Sequence, residues 1–261
     1  MQSQKKIEKI SFIGSGNVAW GLAPFLRDLG VEIVEVYSTN PQTSSEFAKT
    51  FKCNVAGSLA SLNKNSDLYL LAVPDKEIEK LAKAFPDVKG IVAHTSGIVA
   101  VDGLKNLEKY GVFYPLQTFT KGLTVEISKV PFCIEASGDE VEKELLNLAS
   151  GMSENVQLID SVQRKNLHLS AVLVSNFPNL LYHYASELLE EKGLNFQILI
   201  PLMEESVRKV KYLKPKDAQT GPAKRNDLVT IEEHLRMLED FPQIKNIYNL
   251  ISEQIRKKYH E

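Results

Sequence analysis

Short apolar runs alternate with amphipathic stretches over the first 160 residues, and from residue 161 onward only the longer, helical period persists. Alternation of that kind predicts strands interleaved with helices, hence an α/β domain with a mainly parallel, doubly wound sheet, followed by an all-α domain. Strands are expected at residues 9–13, 31–37, 54–55, 67–73, 90–94, 111–119 with its exit, 131–136 and 156–160. The run Asp67-Leu68-Tyr69-Leu70-Leu71-Ala72-Val73 is apolar almost throughout, as a strand covered on both faces requires. Helices are expected after Gly16 and at 43–51, 76–85 and 140–151, with a brief turn at 58–62. Beyond the boundary near Asp160, a long helix spans 161–192 despite Pro178, which should kink it or mark a strained turn. Further helices cover 195–213, with Pro201 inside, then 231–238 and 244–258. The domains expected are therefore 1–160 and 161–261.

The first strand runs directly into Gly14-Ser15-Gly16-Asn17-Val18-Ala19. Gly14 permits a tight turn, Gly16 leaves room for a pyrophosphate, and Ala19 lets helix and strand pack closely. Val18, Leu22, Phe25, Leu26 and Leu29 then recur at helical spacing, and Gly30 sits where a C-cap belongs. With a strand before it and a helix after it, the glycine pattern predicts a dinucleotide site. Amides of Ser15, Gly16, Asn17 and Val18 would hold the phosphates. After the second strand, Ser38-Thr39-Asn40-Pro41 offers hydroxyls and an amide where NAD enzymes place an acidic residue. NADP is therefore expected over NAD, although the same residues would cap a helix beginning at Pro41.

Ligands of open α/β sheets bind beyond the carboxyl ends of the strands. That rule places Ala72, Val73 and Pro74 along the cofactor cleft. Thr95, Ser96 and Gly97 suit a nicotinamide pocket or, equally, a capped turn. Tyr114, Gln117 and Thr118 end another strand and face the same cleft in a doubly wound order. His94, at a strand end, reads as a hydrogen-bonded structural residue.

Composition narrows the class. A chain of 261 residues, 43% hydrophobic and 25% charged, is ordinary for a soluble globular protein. A net charge of −2 argues against a duplex-binding surface, so no nucleic-acid partner is expected. Cys53 and Cys133 have neither metal-ligand nor disulfide spacing, which fits a reducing compartment and predicts no metal site. No apolar run reaches membrane-span length, and a cytoplasmic location is expected.

In the helical part, Lys165, His168, Ser175, Asn176 and Asn179 stand among apolar neighbours. His168 and Asn176 are eight apart and would share one face of an unbroken helix. A histidine titrates near working pH, so His168 is the candidate general acid/base, with Lys165 as substitute and Asn176 and Gln117 orienting a substrate. The polar stretch Thr220-Gly221-Pro222-Ala223-Lys224-Arg225-Asn226-Asp227 brings Thr220 and Gly221 to a substrate loop, and Lys224 or Arg225 to an anionic group. A solvated loop with caps would use the same residues.

The glycine corner, His94-Thr95-Ser96-Gly97, Tyr114-Pro115-Leu116-Gln117-Thr118-Phe119 and Thr220 to Asp227 together resemble a family of Rossmann-like NADP oxidoreductases with a helical C-terminal domain of unknown function. The resemblance spans essentially the whole chain and extends to pyrroline-5-carboxylate reductase, ketopantoate reductase, prephenate dehydrogenase and the β-hydroxyacid dehydrogenases. It implies a homodimer through the C-terminal helices and leaves the substrate open. His168, Ser175 and Pro178 are similar to matching positions of prephenate dehydrogenases, whereas Tyr114 stands where relatives carry histidine, and no arginine adjoins Thr39. The expectation is an NADP-dependent oxidoreductase passing hydride between nicotinamide and a small, anionic carbonyl, imine or hydroxy acid. A non-catalytic NADP(H)-binding redox sensor is the alternative.

Overall fold

A computed structural model describes residues 6–260; residues 1–5 of the expected first domain and residue 261 lie outside it. Eight strands form one sheet in the order β3-β2-β1-β4-β5-β6-β7-β8. They are β1 (Lys9–Ile13), β2 (Glu32–Tyr37), β3 (Asn54–Val55), β4 (Leu68–Leu71), β5 (Ile91–His94), β6 (Tyr110–Pro115), β7 (Phe132–Ala136) and β8 (Val156–Leu158). The first six are mutually parallel, β7 runs antiparallel to β6, and β8 is parallel to β7. This is the doubly wound, mainly parallel architecture the alternating pattern predicts.

Helices α1 (Asn17–Asp28), α2 (Pro41–Phe51) and α4 (Asp139–Met152) contribute to the larger apolar layer, which gathers Ile10, Phe12, Leu68, Leu70, Ala93 and Phe113 from the sheet. Phe47 is central to it, with Phe12, Trp20 and Phe51 rings at 5.3, 5.5 and 4.5 Å. Alternate strand residues Ile13, Tyr69, Leu71 and Val92 pack with Ile78 and Ala82 of α3 (Asp75–Ala84) in a second layer. A third, small patch joins Val112, Tyr114 and Cys133 of β6 and β7 to Leu167 of α5 (Ser161–Ala171). Chains leaving β1 and β4, which pair Ile13 with Leu71, thus enter helices belonging to different apolar layers, and a crevice opens between them.

The expected helix over 161–192 is not one α-helix. After α5 comes a five-residue π turn, Val172–Asn176, and only then α6 (Phe177–Glu190), with Pro178 in its opening turn. Proline has no N–H to donate, and its ring crowds the carbonyl four residues back. A π turn just ahead of it accommodates both defects. Pro201 is absorbed in the same way: Phe196–Leu199 is a 3₁₀ turn and α7 (Ile200–Val210) carries the proline in its first turn. The rest comprises α8 (Pro215–Ala218), α9 (Pro222–Arg225), α10 (Leu228–Met237) and α11 (Pro242–His260). α10 starts three residues before the expected 231, because the Asp227 side chain accepts the Thr230 amide and caps it.

Two compact units divide the chain, the first ending at Val174 and the second beginning at Ser175. Helix α5, with His168, belongs to the first. Among the described residues no helix is long and apolar enough to cross a membrane.

Candidate functional site

At the end of β1 the chain turns through Gly14 with φ +105°, a conformation that side chains with a Cβ rarely adopt. Space forbids a side chain there as well, since a Cβ would lie 2.1 Å from the Ala72 carbonyl oxygen. Gly16 is a different case. Its φ of −84° suits any residue, and a Cβ there would meet nothing within 4 Å. It precedes α1 as N-cap, and no side chain caps that helix. The first-turn amides of Asn17, Val18 and Ala19 have no intrahelical partners, so the corner offers donors and a positive helix end to an anion. Ser15 is buried, and its hydroxyl lies 2.7 Å from that of Thr43, tying the corner to α2.

Around this corner is a cleft of about 280 Å³. Its walls include Gly14, Ser15 and Gly16, Ser38, Thr39 and Thr43, and Ala72, Val73 and Pro74, with Glu77 and Leu81 from α3. The residues expected at the end of β2 are therefore at the cleft, except that Asn40 is turned to another task. Its side-chain oxygen accepts the amides of Gln42 and Thr43 and closes the N-terminus of α2. The crevice thus offers open space at Gly16, uncapped amides, and the hydroxyls of Ser38, Thr39 and Thr43.

The second cluster lies at the ends of β5 and β6. The Ser96 hydroxyl accepts the amides of Ile98 and Val99 in its own loop, while Thr95 donates its hydroxyl to the Leu71 carbonyl at the end of β4. The Ser96 hydroxyl thus caps this turn. Gly97 is where the loop meets α5, since a Cβ there would come within 2.5 Å of His168 Nδ1. The same nitrogen is 3.1 Å from the Tyr114 hydroxyl, and the two rings meet edge to face at 6.1 Å. Tyr114 is buried, and desolvation pushes its hydroxyl up to about 12, so the phenol stays protonated at working pH. Its hydroxyl shares a hydrogen bond with His168 Nδ1, as donor or acceptor according to the tautomer of the ring.

Beneath this pair are two fully buried groups. His94 accepts the Ser96 amide at Nδ1, and burial, reinforced by the nearby Arg164 charge, lowers its pKa to about 3. It is a neutral structural histidine, as its strand-end position predicts. Arg164, one helical turn before His168, forms an ion pair with Glu135 and donates to the Val99 carbonyl at 2.6 Å. Sequence reasoning passed over Arg164 in favour of its neighbour Lys165, which is exposed. The signal available was phase: residues 164, 167, 168 and 171 share a helical face, and Leu167 marks that face as inward.

Gln117 and Thr118 are exposed, and Gln117 accepts the Thr118 amide in a local turn. Asn176 is exposed at the end of the π turn, which interrupts the period assumed in counting eight residues from His168. Thr220 and Gly221 border an apolar groove of about 330 Å³ within the second unit, between α6 and α11. Lys224 lies over the Tyr259 ring at 3.3 Å, whereas Arg225 is exposed, with Asp227 at 3.9 Å. Among the described residues no group of three or more His, Cys, Asp or Glu side chains could hold a metal ion.

A glycine corner at the switch point of a 3-2-1-4-5-6 sheet defines a dinucleotide-binding fold of the Rossmann class. Residues 9–95 match the family model described as NADP oxidoreductase, coenzyme F420-dependent, and residues 130–255 match a domain of unknown function, DUF2520. The crystal structure of a "putative NADP oxidoreductase" from Bacteroides fragilis is 38% identical, with 96% of this chain and 98% of that one covered and a TM-score of 0.90. The chain belongs to that family of NADP oxidoreductases. More distant likenesses concern the fold. A 1-pyrroline-5-carboxylate reductase from Streptococcus pyogenes is 14% identical (TM-score 0.61; 95% and 98% covered). A reductive aminase from Aspergillus terreus, in complex with NADPH and ethyl levulinate, is also 14% identical (TM-score 0.71; 97% and 95% covered). No curated protein matches the chain.

Proposed function

We propose that the protein is an NADP(H)-dependent oxidoreductase that interconverts a small carbonyl or imine compound, preferentially an anionic one, and its reduced form. The observation that carries this reading is the pairing, at the carboxyl ends of one sheet, of an open phosphate corner at Gly16 with a Tyr114–His168 couple beside Gly97. Gly14, Ser15, Gly16, Asn17 and Val18 would hold the diphosphate, with Ser38 and Thr39 at the ribose and Ala72, Val73, Pro74 and Gly97 along the remainder. The nicotinamide, when bound, supplies or accepts the hydride. The chain's part is orientation and the proton. His168, as imidazolium, gives its Nε2 proton to the oxygen or nitrogen of the substrate during reduction, leaving the neutral imidazole that takes it back in the reverse direction, while the Tyr114 oxygen holds Nδ1. Arg225 is the stronger candidate for an anionic substrate group, since Lys224 is committed to Tyr259.

NADP is preferred over NAD in this reading because no carboxylate sits at the end of β2, where NAD enzymes bind the ribose. Exposed apolar side chains in the second unit, among them Phe177, Ile198, Leu202 and Val207, support a homodimer through its helices. Sedimentation of the purified protein at a dimer's mass is the expected outcome. The reading is tested by calorimetry with NADP, NADPH, NAD and NADH, followed by NADPH oxidation over a panel of keto acids and cyclic and linear imines. Binding of NADPH with turnover of at least one panel member is expected. Tight binding with no turnover would make the protein a nucleotide sensor, and no binding of any pyridine nucleotide would end the proposal.

A further inference from the structure

Helix α5 carries a buried guanidinium that the proposed chemistry does not touch. Arg164 is fully buried and reaches in two directions. One arm pairs with Glu135 on β7; the other donates to the carbonyl of Val99 at 2.6 Å and to the Ser161 hydroxyl at 3.2 Å. Ser161 in turn donates to Glu135 at 2.7 Å and accepts the amide of Val101 at 3.0 Å. Two consecutive stretches of backbone are thereby fastened to the first turns of α5. The fastened segment is the continuation of Thr95-Ser96-Gly97, the loop whose glycine lies against His168.

We infer that Arg164, with Ser161 and Glu135, is a positioning device: it straps the loop after β5 to α5 and so sets Gly97 against the imidazole and the imidazole against Tyr114. The inference rests on the reading of His168 as the proton-handling group. A buried ion pair seldom adds net stability over apolar residues of the same volume, so its use here is geometric. The forked guanidinium is suited to that use, because it can bond a carboxylate and a carbonyl at fixed angles, which an ammonium cannot. The device also explains the tolerance for a half-buried histidine one turn further on. With the loop held, Gly97 is the floor of the ring's site, and a residue with a Cβ there would push the imidazole out of place.

The test uses full-length protein labelled with 15N-histidine, the His168 signals being assigned by their loss in His168→Gln. In the wild type the Nδ1 and Nε2 shifts should be those of a single tautomer and not an average of the two. In Arg164→Lys they should move towards the tautomer-averaged values that Tyr114→Phe shows. Ser161→Ala, which keeps the Arg164–Glu135 pair but loses the Val101 tether and the hydroxyl's bonds to Glu135 and Arg164, should move them the same way by less. NADPH affinity by calorimetry should stay within about threefold in both, because the glycine corner is on other strands. Wild-type His168 shifts in folded Arg164→Lys, or in Ser161→Ala should the lysine variant fail to fold, would overturn the inference and leave the proposed function standing. Absence of NADPH binding by the wild type would overturn the proposed function without altering the imidazole result.

Discussion

Replacing Gly16 by alanine separates what this corner does for the fold from what it does for a ligand. Gly16 has φ −84° and ψ −173°, an extended conformation any residue adopts. An added Cβ would meet no protein atom within 4 Å. The unfolded chain loses freedom worth about 0.4–1 kcal/mol, and the poorer N-cap preference of alanine offsets it by a similar amount. Stability without ligand should therefore stay within about 1 kcal/mol, or about 4 °C in Tm for a chain of this size. The same methyl group would occupy space in which a diphosphate must approach the backbone, and NADPH affinity should fall about tenfold or more, at least 1.4 kcal/mol. Thermal unfolding of the apoprotein and calorimetric titration with NADPH measure the two effects separately. A variant that binds NADPH like the wild type would refute the assignment of that space. One that unfolds several degrees lower would refute the claim that Gly16 has no structural duty.

Gly14→Ala should behave in the opposite sense. The left-handed φ and the 2.1 Å approach to the Ala72 oxygen predict a loss of about 3 kcal/mol or more, seen as a fall in the urea midpoint or in soluble yield. His168→Ala should lower kcat by about 10²–10⁴-fold on any panel substrate while NADPH binding is retained, and unchanged kcat/KM would remove His168 from the chemistry. Tyr114→Phe should cost about 1 kcal/mol of stability and a larger part of kcat, since the packing stays and only the bond to Nδ1 is lost. His94 supplies a pH prediction. Its pKa is depressed from 6.5 to about 3, so the unfolded chain binds the extra proton first and stability is lost as pH falls below 6.5. The slope approaches about 1.4 kcal/mol per pH unit, or about 2 kcal/mol between pH 6.5 and 5. His94→Asn, which keeps an acceptor for the Ser96 amide, should flatten that slope in urea titrations at the two pH values.

The nucleotide half was legible because its signals are local and redundant. A buried parallel strand reads as an apolar run, and a glycine corner between a strand and a helix has few other uses, so β1, α1, β4 and the cleft residues fell where expected. Where one residue had two uses, sequence alone left both open. Asn40 and Ser96 are examples: each was a candidate ligand contact and each proves to bond its own loop's amides, which short polar side chains do wherever the geometry allows. The helical half was less legible at its prolines. Pro178 and Pro201 were foreseen as defects, but whether a helix kinks, stops or inserts a π turn depends on what packs around it, and a single sequence carries no record of that.

The contrast between Lys165 and Arg164 shows why the cluster around His168 resisted reading. Both are basic, adjacent and on the same helix, and residue type favours lysine as the reactive one. Phase decides otherwise. A step of 100° per residue turns Lys165 into solvent and Arg164 into the sheet, and the inward direction is set by Leu167 against Val112, Tyr114 and Cys133. Once Leu167 is inward, residue 168 lies on its flank, half-buried, and only a strand ending in a polar ring can meet it there. Tyr114 is that ring, and it meets the imidazole from the position where relatives carry histidine. A phenol held protonated by burial can fix an imidazole on the facing helix as firmly as another histidine could, and at neutral pH it does so without a titration of its own.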